Sequence, residues 1–184
     1  MFLFAHLGIG VRSIRWIEGL SRKGTRALLP IAPLFLGTLL PDLIDKPLYY
    51  GLSWLTGLRG AELGVIAGTR SFGHSWILLL LLTIFFRLRP RQPLRIQSLA
   101  LLFGVLSHLS LDLLDDLLRS LQVIPSTLTA LVWPLLGLQF PPNPNANWLA
   151  HASRVTQPSL WIPEILGVLC LWWEWRERTA RSGY

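Results

Sequence analysis

The stretch of sequence best suited to chemistry is residues 104–116, in which one histidine and three aspartates interrupt a leucine-rich segment. At 3.6 residues per turn of an α-helix, His108 and Asp112 lie on one face, with Asp115 and Asp116 one turn further along. Burying these groups among apolar side chains costs free energy unless a partner compensates them. Imidazole and carboxylate are both good ligands for a divalent metal. The stretch therefore predicts a metal site, and the alternative interpretation is an amphipathic helix whose acids face water.

Other segments supply the same types of ligand. Asp42 and Asp45 are spaced i, i+3, so one helical turn points both at a single ion. The alternative is that Pro41 and Asp42 simply end a helix, a position that both residue types favour. His74 stands at a predicted helix start, and a further histidine lies in the apolar N-terminal segment. We therefore predict six metal ligands: His6, Asp42, Asp45, His74, His108 and Asp112.

Three further residues are predicted to take part in catalysis. Arg70 precedes His74 by four residues, and its planar guanidinium suits an anionic substrate. We predict that Arg70 stabilises the charge of the transition state, the alternative being that it only ends a helix at the membrane interface. Asp115 or Asp116 is predicted to be a general base or to hydrogen-bond a metal ligand. Glu164, an isolated acid, either extends toward water or hydrogen-bonds a ligand.

The composition favours a membrane protein over a soluble one. Hydrophobic residues make up 52% of the 184 residues and charged residues 15%, and the mean hydropathy is +0.47. The net charge of +7 comes from short basic clusters between apolar runs, which is typical of cytoplasmic loops and indicates no nucleic-acid partner. The single cysteine, Cys170, excludes an intrachain disulfide and a cysteine-based zinc site. The N-terminal segment is expected to be retained, because its arginines follow the apolar stretch.

Apolar runs predict the helices that carry these groups. They cover residues 1–20, 27–40, 76–86, 96–118, 121–140 and 158–176, with a short helix and a loop over 48–69. Several runs are shorter than the roughly 20 residues that a bilayer requires, so their polar ends must lie inside protein near one membrane face. In hydrocarbon every backbone polar group must be satisfied within the protein. We therefore predict an all-α, polytopic membrane helical bundle with at least four bilayer-crossing helices, forming a single integral-membrane domain over residues 1–184.

The distribution of basic residues predicts the orientation of this bundle. If residues 12–26, residues 87–95 and the tail from residue 176 face the cytoplasm, they hold twelve of the 17 lysines and arginines. This distribution satisfies the positive-inside tendency. The six predicted ligands then converge at one depth near the outer face of the membrane, from four helices.

Four short pieces of the sequence match the pattern of one known family. They are AHLGIG (residues 5–10), GTLLPDLID (37–45), RSFGHS (70–75) and GVLSHLSLD (104–112). In their order and spacing the chain resembles the YdjM-like family of bacterial inner-membrane proteins. The resemblance implies a metal-dependent hydrolase that is multi-pass in the inner (cytoplasmic) membrane. Thr69 and Gly73 depart from the pattern, since the family often has His and Thr there, and this departure removes one candidate ligand.

Together these residues favour hydrolysis of a phosphoester in a lipid-linked or amphiphilic substrate, with membrane lipid as the surrounding partner. One or two divalent ions, with zinc favoured, would activate a water and hold phosphate oxygens. The ligand types are also similar to those of zinc-dependent phospholipase C and related phosphoesterases. One alternative is a non-enzymatic cluster that carries protons or metal ions across the bilayer. Another is a structural or regulatory membrane protein with a purely structural metal. Ester or amide cleavage, the substrate and the oligomeric state are left open.

Overall fold

The computed structural model describes residues 3–20, 29–88, 92–119, 126–142, 148–153 and 156–182. Within these ranges every regular element is a helix, which confirms the predicted all-α class. The α-helices are α1 (Gly10–Leu20), α2 (Ile31–Thr56), α3 (Trp76–Arg87), α4 (Gln92–Arg119), α5 (Ser126–Leu131), α6 (Trp148–Ser153) and α7 (Pro158–Ser182). A π-helical segment, Ala5–Ile9, precedes α1, and 3-10 turns cover Gly60–Leu63 and Phe72–His74.

Helices α2 and α4 form the centre of the bundle. A methyl group at Gly37 would lie 2.2 Å from the Leu101 carbonyl oxygen, and one at Gly104 would lie 2.4 Å from that of Leu34. Small residues allow two helix backbones to approach this closely, which is common where packing drives association in a membrane. Leu34 packs with Ala100, and further along both helices the Thr38 carbonyl oxygen contacts His108. The two helices therefore run parallel, and α3 lies between them in the chain.

Helix α1 runs antiparallel to this central pair. The side chain of His6, just before α1, contacts Asp112 toward one end of α4. Further along α1, Val11 and Ile14 pack in a buried cluster with Leu34 and Ala100, toward the opposite end of α2 and α4. The N-terminal end of α1 therefore lies beside the C-terminal halves of the two central helices.

Helix α7 packs against α1 and runs parallel to it. The Phe4 backbone N–H donates to Glu164 Oε2 at 2.9 Å, and a methyl group at Gly167 would lie 2.1 Å from the Phe4 carbonyl oxygen. At the other end of α1, Arg15 Nε lies 3.3 Å from Glu174 Oε1. Helix α7 thereby supports the π-helical segment that carries the first predicted ligand.

The opposite end of the bundle is held together by ion pairs. Arg15 Nη1 lies 2.7 Å from Glu18 Oε2, and its Nη2 donates to the Leu29 carbonyl oxygen at 2.8 Å. Arg12 Nη2 lies 2.9 Å from Glu177 Oε1. The C-terminal ends of α1, α3 and α7 and the N-terminal end of α4 share this end of the molecule. The described residues of the basic segments are thus grouped at the end away from the predicted ligands.

Helix α2 extends further than the sequence predicts. The helix does not end with the apolar run 27–40, because Pro41 and Pro47 both lie inside it and it continues to Thr56, into the region 48–69 that was expected to hold a short helix and a loop. A proline within a helix lacks an N–H and tilts the carbonyl groups of the preceding turn away from their usual partners. In that turn the Thr38 carbonyl oxygen lies 2.7 Å from His108 Nδ1. The turn of α2 that precedes Pro41 therefore coincides with a contact made by a predicted ligand.

Among the described helices, only the segment Leu94–Leu118 within α4 is both long and apolar enough to cross a membrane by length and composition. Helix α3 is apolar, but its 12 residues span about 18 Å. Helix α2 has sufficient length but carries Asp42, Asp45 and Lys46 in its second half. Both elements are helical, but α3 is shorter than a simple membrane-spanning helix and α2 carries charged side chains that such a helix lacks.

The glycine contact between α2 and α4 predicts a specific loss of stability. Gly37→Ala should lower the free energy of unfolding by about 1–3 kcal/mol, because the new methyl group meets backbone that cannot yield. Gly51→Ala is the matched control on α2, since within the described part of the chain no atom outside its own stretch of helix lies within 4 Å of its new methyl group. Unfolding of detergent-purified protein checks this. Equal stability of the two variants would contradict the close packing.

Candidate functional site

Five of the six predicted ligands meet at one end of the bundle, from four separate elements. Ligating atoms of His6, His108 and Asp112 all lie within 4.8 Å of one another. Those of Asp42, His74 and His108 form a second group of the same size. Because His108 belongs to both groups, the two are adjacent. The fold thus brings short motifs that lie far apart in the sequence together in one compact polar cluster.

One compact set of atoms in this cluster consists of two imidazole nitrogens and one carboxylate oxygen. The Nε2 atoms of His74 and His108 lie 3.2 Å apart. Asp112 Oδ2 lies 3.4 Å from the first nitrogen and 3.8 Å from the second. Two ligands bound to one tetrahedral zinc ion at 2.0–2.2 Å are roughly 3.3–3.6 Å apart. The three atoms therefore have approximately the spacing of one face of a tetrahedral metal site.

Both of these imidazoles are oriented by a contact at their other nitrogen. His108 Nδ1 lies 2.7 Å from the Thr38 carbonyl oxygen, which only accepts hydrogen bonds, so Nδ1 carries the hydrogen. His74 Nδ1 lies 2.7 Å from Asp45 Oδ2. When both rings are neutral, their Nε2 lone pairs face each other across 3.2 Å. The two lone pairs repel each other unless a proton or a metal cation lies between the two nitrogens.

The position of His6 depends on the unusual helix that carries it. His6 stacks on His108 with ring centroids 3.9 Å apart, and its Nε2 lies 3.3 Å from Asp112 Oδ1. The ring is buried, and its Nδ1 has no hydrogen-bond partner among the described residues. Single π-helical turns are frequent at functional sites. The turn here places a third imidazole against the His108 ring.

Asp45 is predicted as a ligand, but the structure gives its carboxylate other partners. It accepts hydrogen bonds at 2.7–3.2 Å from the backbone N–H groups of Ser71, Gly73 and His74, from the Ser71 hydroxyl and from His74 Nδ1. A carboxylate offers about four lone-pair sites, so these five donors leave little capacity for a metal. The geometry favours an orienting role for Asp45. It holds the turn at residues 71–74 and directs the His74 ring.

The predicted catalytic residues Arg70 and Asp116 are paired with each other. Arg70 Nη1 lies 2.8 and 2.9 Å from the two Asp116 carboxylate oxygens, and Arg70 Nε lies 3.3 Å from Asp112 Oδ2. Asp116 Oδ2 also accepts from the Ser126 hydroxyl and from the backbone N–H and hydroxyl of Thr127. Burial lowers the pKa of Arg70, but Asp112 and Asp116 outweigh burial and hold that pKa above its ordinary value. Asp116 therefore positions Arg70 and is not free to act as a base.

Asp42 lies at the accessible side of the cluster. Its side chain is 19% exposed, whereas those of the other predicted ligands are 6% exposed or less. Lys46 Nζ contacts Asp42 Oδ2 at 2.5 Å. Asp42 and its lysine partner thus lie on a side of the cluster that is partly exposed.

Asp115 belongs to neither group of ligating atoms, and its role as a base stays a prediction.

Several polar residues that position the site were missed by reasoning from the sequence. Thr38 acts through its backbone carbonyl oxygen, for which a sequence carries no signal. Ser126 and Thr127 belong to a separate helix, so their contacts with Asp116 depend on tertiary structure. Lys46 did have a signal, because it follows Asp42 by four residues and faces it on a helix.

The chain was compared with known proteins in three ways. The profile of the family described as YdjM inner membrane protein matches residues 1–180. A comparison with curated proteins and one with solved structures found no match. The matched range includes every element that contributes to the cluster. The family description refers to membrane location and names no reaction.

The contacts of Asp45 predict a larger structural role for it than for Asp42. Asp45→Asn should lower the free energy of unfolding by roughly 2–4 kcal/mol, because an amide nitrogen then faces buried donors. Asp42→Asn is the matched control and should cost less than about 1 kcal/mol, since that side chain is partly exposed. Thermal or denaturant unfolding in detergent measures both. A greater loss for Asp42→Asn would contradict the assigned role.

Proposed function

The chain belongs to the YdjM family of inner membrane proteins, and on this premise we propose that it is a metal-dependent hydrolase embedded in the membrane. Its proposed substrate is a phosphoester in a lipid-linked or amphiphilic molecule. The observation that carries the proposal is the spacing of three atoms: His74 Nε2, His108 Nε2 and Asp112 Oδ2 are separated by 3.2, 3.4 and 3.8 Å. Their arrangement suits one divalent ion with room for a further ligand.

The charge of the cluster supports a bound cation. It contains four carboxylates and two basic side chains, which with neutral imidazoles gives two net negative charges: Asp42, Asp45, Asp112 and Asp116 against Lys46 and Arg70. Uncompensated charge inside an apolar bundle is unfavourable by several kcal/mol. One divalent cation balances this charge. Nitrogen and oxygen ligands suit zinc, which is the metal that we propose.

The chain's own residues would share the remaining tasks. His74, His108 and Asp112 would hold the ion, and His6 and Asp42 would complete its coordination or hold a second ion. A bound divalent ion supplies Lewis acidity, which polarises a phosphoryl oxygen and makes water nucleophilic near neutral pH.

Around the ligands, three residues have positioning or electrostatic roles. Arg70 lies beside Asp112 and contributes positive charge as negative charge develops on the phosphoryl oxygens. Asp116 keeps the Arg70 guanidinium in that position through its two carboxylate oxygens. Asp45 keeps the His74 ring turned so that Nε2 faces the cluster.

Two observations favour hydrolysis over the other proposed functions. Between the cluster and the basic end of the bundle, Val11, Ile14, Leu34 and Ala100 form a buried apolar layer. Ion or proton transport requires a polar path through this region. A purely structural metal is expected in a closed site, whereas Asp42 is partly exposed.

We also propose that the chain crosses the inner membrane at least four times, with the cluster toward the outer face. The grouping of the basic segments at the opposite end supports this orientation. The wide apolar surface of the helices supports several crossings, since residues such as Leu81, Trp161 and Ile162 are more than half exposed.

Substitution of a ligand and of the arginine should separate metal binding from turnover. Asp112→Ala should lose both metal and hydrolysis of phospholipids or polyprenyl phosphates. Arg70→Ala should keep the metal and lose about 100-fold in kcat/KM, as expected for a group that stabilises developing charge. The control Ser110→Ala alters an exposed side chain of the same helix and should keep both properties. Metal analysis with a substrate panel measures this, and full metal occupancy in Asp112→Ala would refute the proposed site.

The proposed orientation predicts the accessibility of introduced cysteines. In a Cys170→Ser background, a cysteine at Arg59 should react with an impermeant thiol reagent outside intact cells, because it lies at the cluster end of the bundle. Cysteines at Arg87 and Arg176 should react only after the membrane is opened. The reverse labelling pattern would show that the orientation is inverted.

A further inference from the structure

Two cationic side chains stand at the accessible side of the cluster, each paired with a different candidate ligand. Lys46 Nζ contacts Asp42 Oδ2 at 2.5 Å, and Arg70 Nε lies 3.3 Å from Asp112 Oδ2. The Lys46 and Arg70 side chains are 29% and 21% exposed, whereas the His108 side chain is fully buried. The two cations therefore lie between the buried ligands and the surroundings of the protein.

Both cations have hydrogen-bond donors that their carboxylate partners do not use. An ammonium group has three N–H donors. Among the described residues, Asp42 is the one hydrogen-bond acceptor of Lys46. Arg70 uses Nε and Nη1, while its Nη2 has no acceptor in the described part of the chain. Ammonium and guanidinium groups both bind phosphate oxygens well. Each side chain can therefore contact an anion without leaving its carboxylate.

The surface next to Lys46 is apolar. Leu43 precedes Lys46 by three residues on the same helix and is 54% exposed, and Pro47, four residues after Leu43, is also exposed, so the three side chains share one helix face. Further along the same helix, Trp54 and Leu55 are exposed as well. A molecule that places an anionic group against Lys46 thus has apolar surface available for the rest of its structure. This combination matches an amphiphile with a phosphate headgroup.

We propose that Lys46 and Arg70 together bind the phosphate group of an anionic amphiphile. The inference deepens the proposed hydrolase function and rests on it. Arg70 contacts the oxygens from the Asp112 side of the cluster, and Lys46 contacts them from the Asp42 side. The substrate class is a phosphate ester with an apolar chain.

The test uses full-length, detergent-purified protein loaded with one equivalent of zinc. Binding of inorganic phosphate and of phosphatidic acid in mixed micelles is measured by calorimetry for the wild type and for Lys46→Met. Loss of a charge-assisted hydrogen bond should weaken binding of the phosphate group about tenfold or more. Lys46→Arg should keep binding within about threefold, because it retains the charge. Arg59→Met is the matched control, since it removes one exposed positive charge at the same end of the bundle.

The outcomes separate this inference from the proposed function. Weaker binding of both probes in Lys46→Met, or of the lipid alone, supports the inference and distinguishes a general phosphate site from a headgroup site. Unchanged binding of both, or an equal loss in Arg59→Met, overturns it. If Lys46→Met does not fold, Lys46→Gln is read in the same way. Hydrolysis is assayed on the same samples. If the wild type is active but Lys46→Met binds both probes as well as the wild type does, the inference is refuted and the hydrolase proposal is not. Inactive protein with Lys46-dependent binding refutes the hydrolase alone.

Discussion

Burial of ionisable groups among apolar helices is the constraint on which the rest of this structure depends. Imidazoles and carboxylates lose hydration when they enter such an environment, and aspartates close together also repel one another. The structure meets part of this cost with hydrogen bonds, most completely at Asp45, whose carboxylate accepts from three backbone N–H groups of the turn at residues 71–74. The remaining groups converge with imidazole nitrogens facing one another. A cation at their centre is the compensation that their geometry allows.

The close approach of the helix backbones makes this convergence possible. Gly37 and Gly104 bring α2 and α4 together just before the ligands on each helix, and Gly8 and Gly167 do the same for the π-helical segment and α7. Because these contacts involve backbone atoms, they cannot be relieved by a change of side-chain rotamer. Glycine at these positions therefore determines the distances between ligands that it does not itself contact. Packing and chemistry are linked through the same pairs of helices.

The two ends of the bundle have different electrostatic organisation, and this difference bears on function. At the basic end, Arg15 is satisfied by Glu18, Glu174 and a backbone carbonyl, as expected for a structural ion-pair network. At the other end, Arg70 and Lys46 are paired with candidate metal ligands, and each keeps N–H donors that find no acceptor in the described part of the chain. Saturated charges stabilise a fold, whereas charges with donors in reserve can bind a substrate. The apolar layer between the two ends keeps these roles separate.

The sequence by itself determined the helical class, the inner-membrane family and the types of residue at the site, because these depend on composition, periodicity and short motifs. It also brought together His6, Asp42, His74, His108 and Asp112 as candidates, and the structure places them in one cluster. Only the tertiary structure decided which carboxylates remain available to a cation. Helical spacing defines the face on which an aspartate lies, but donors from distant segments decide whether its lone pairs are taken. The Asp45 carboxylate accepts hydrogen bonds from the turn before α3, and the Asp116 carboxylate accepts them from Arg70 and α5. No local sequence pattern specifies these contacts.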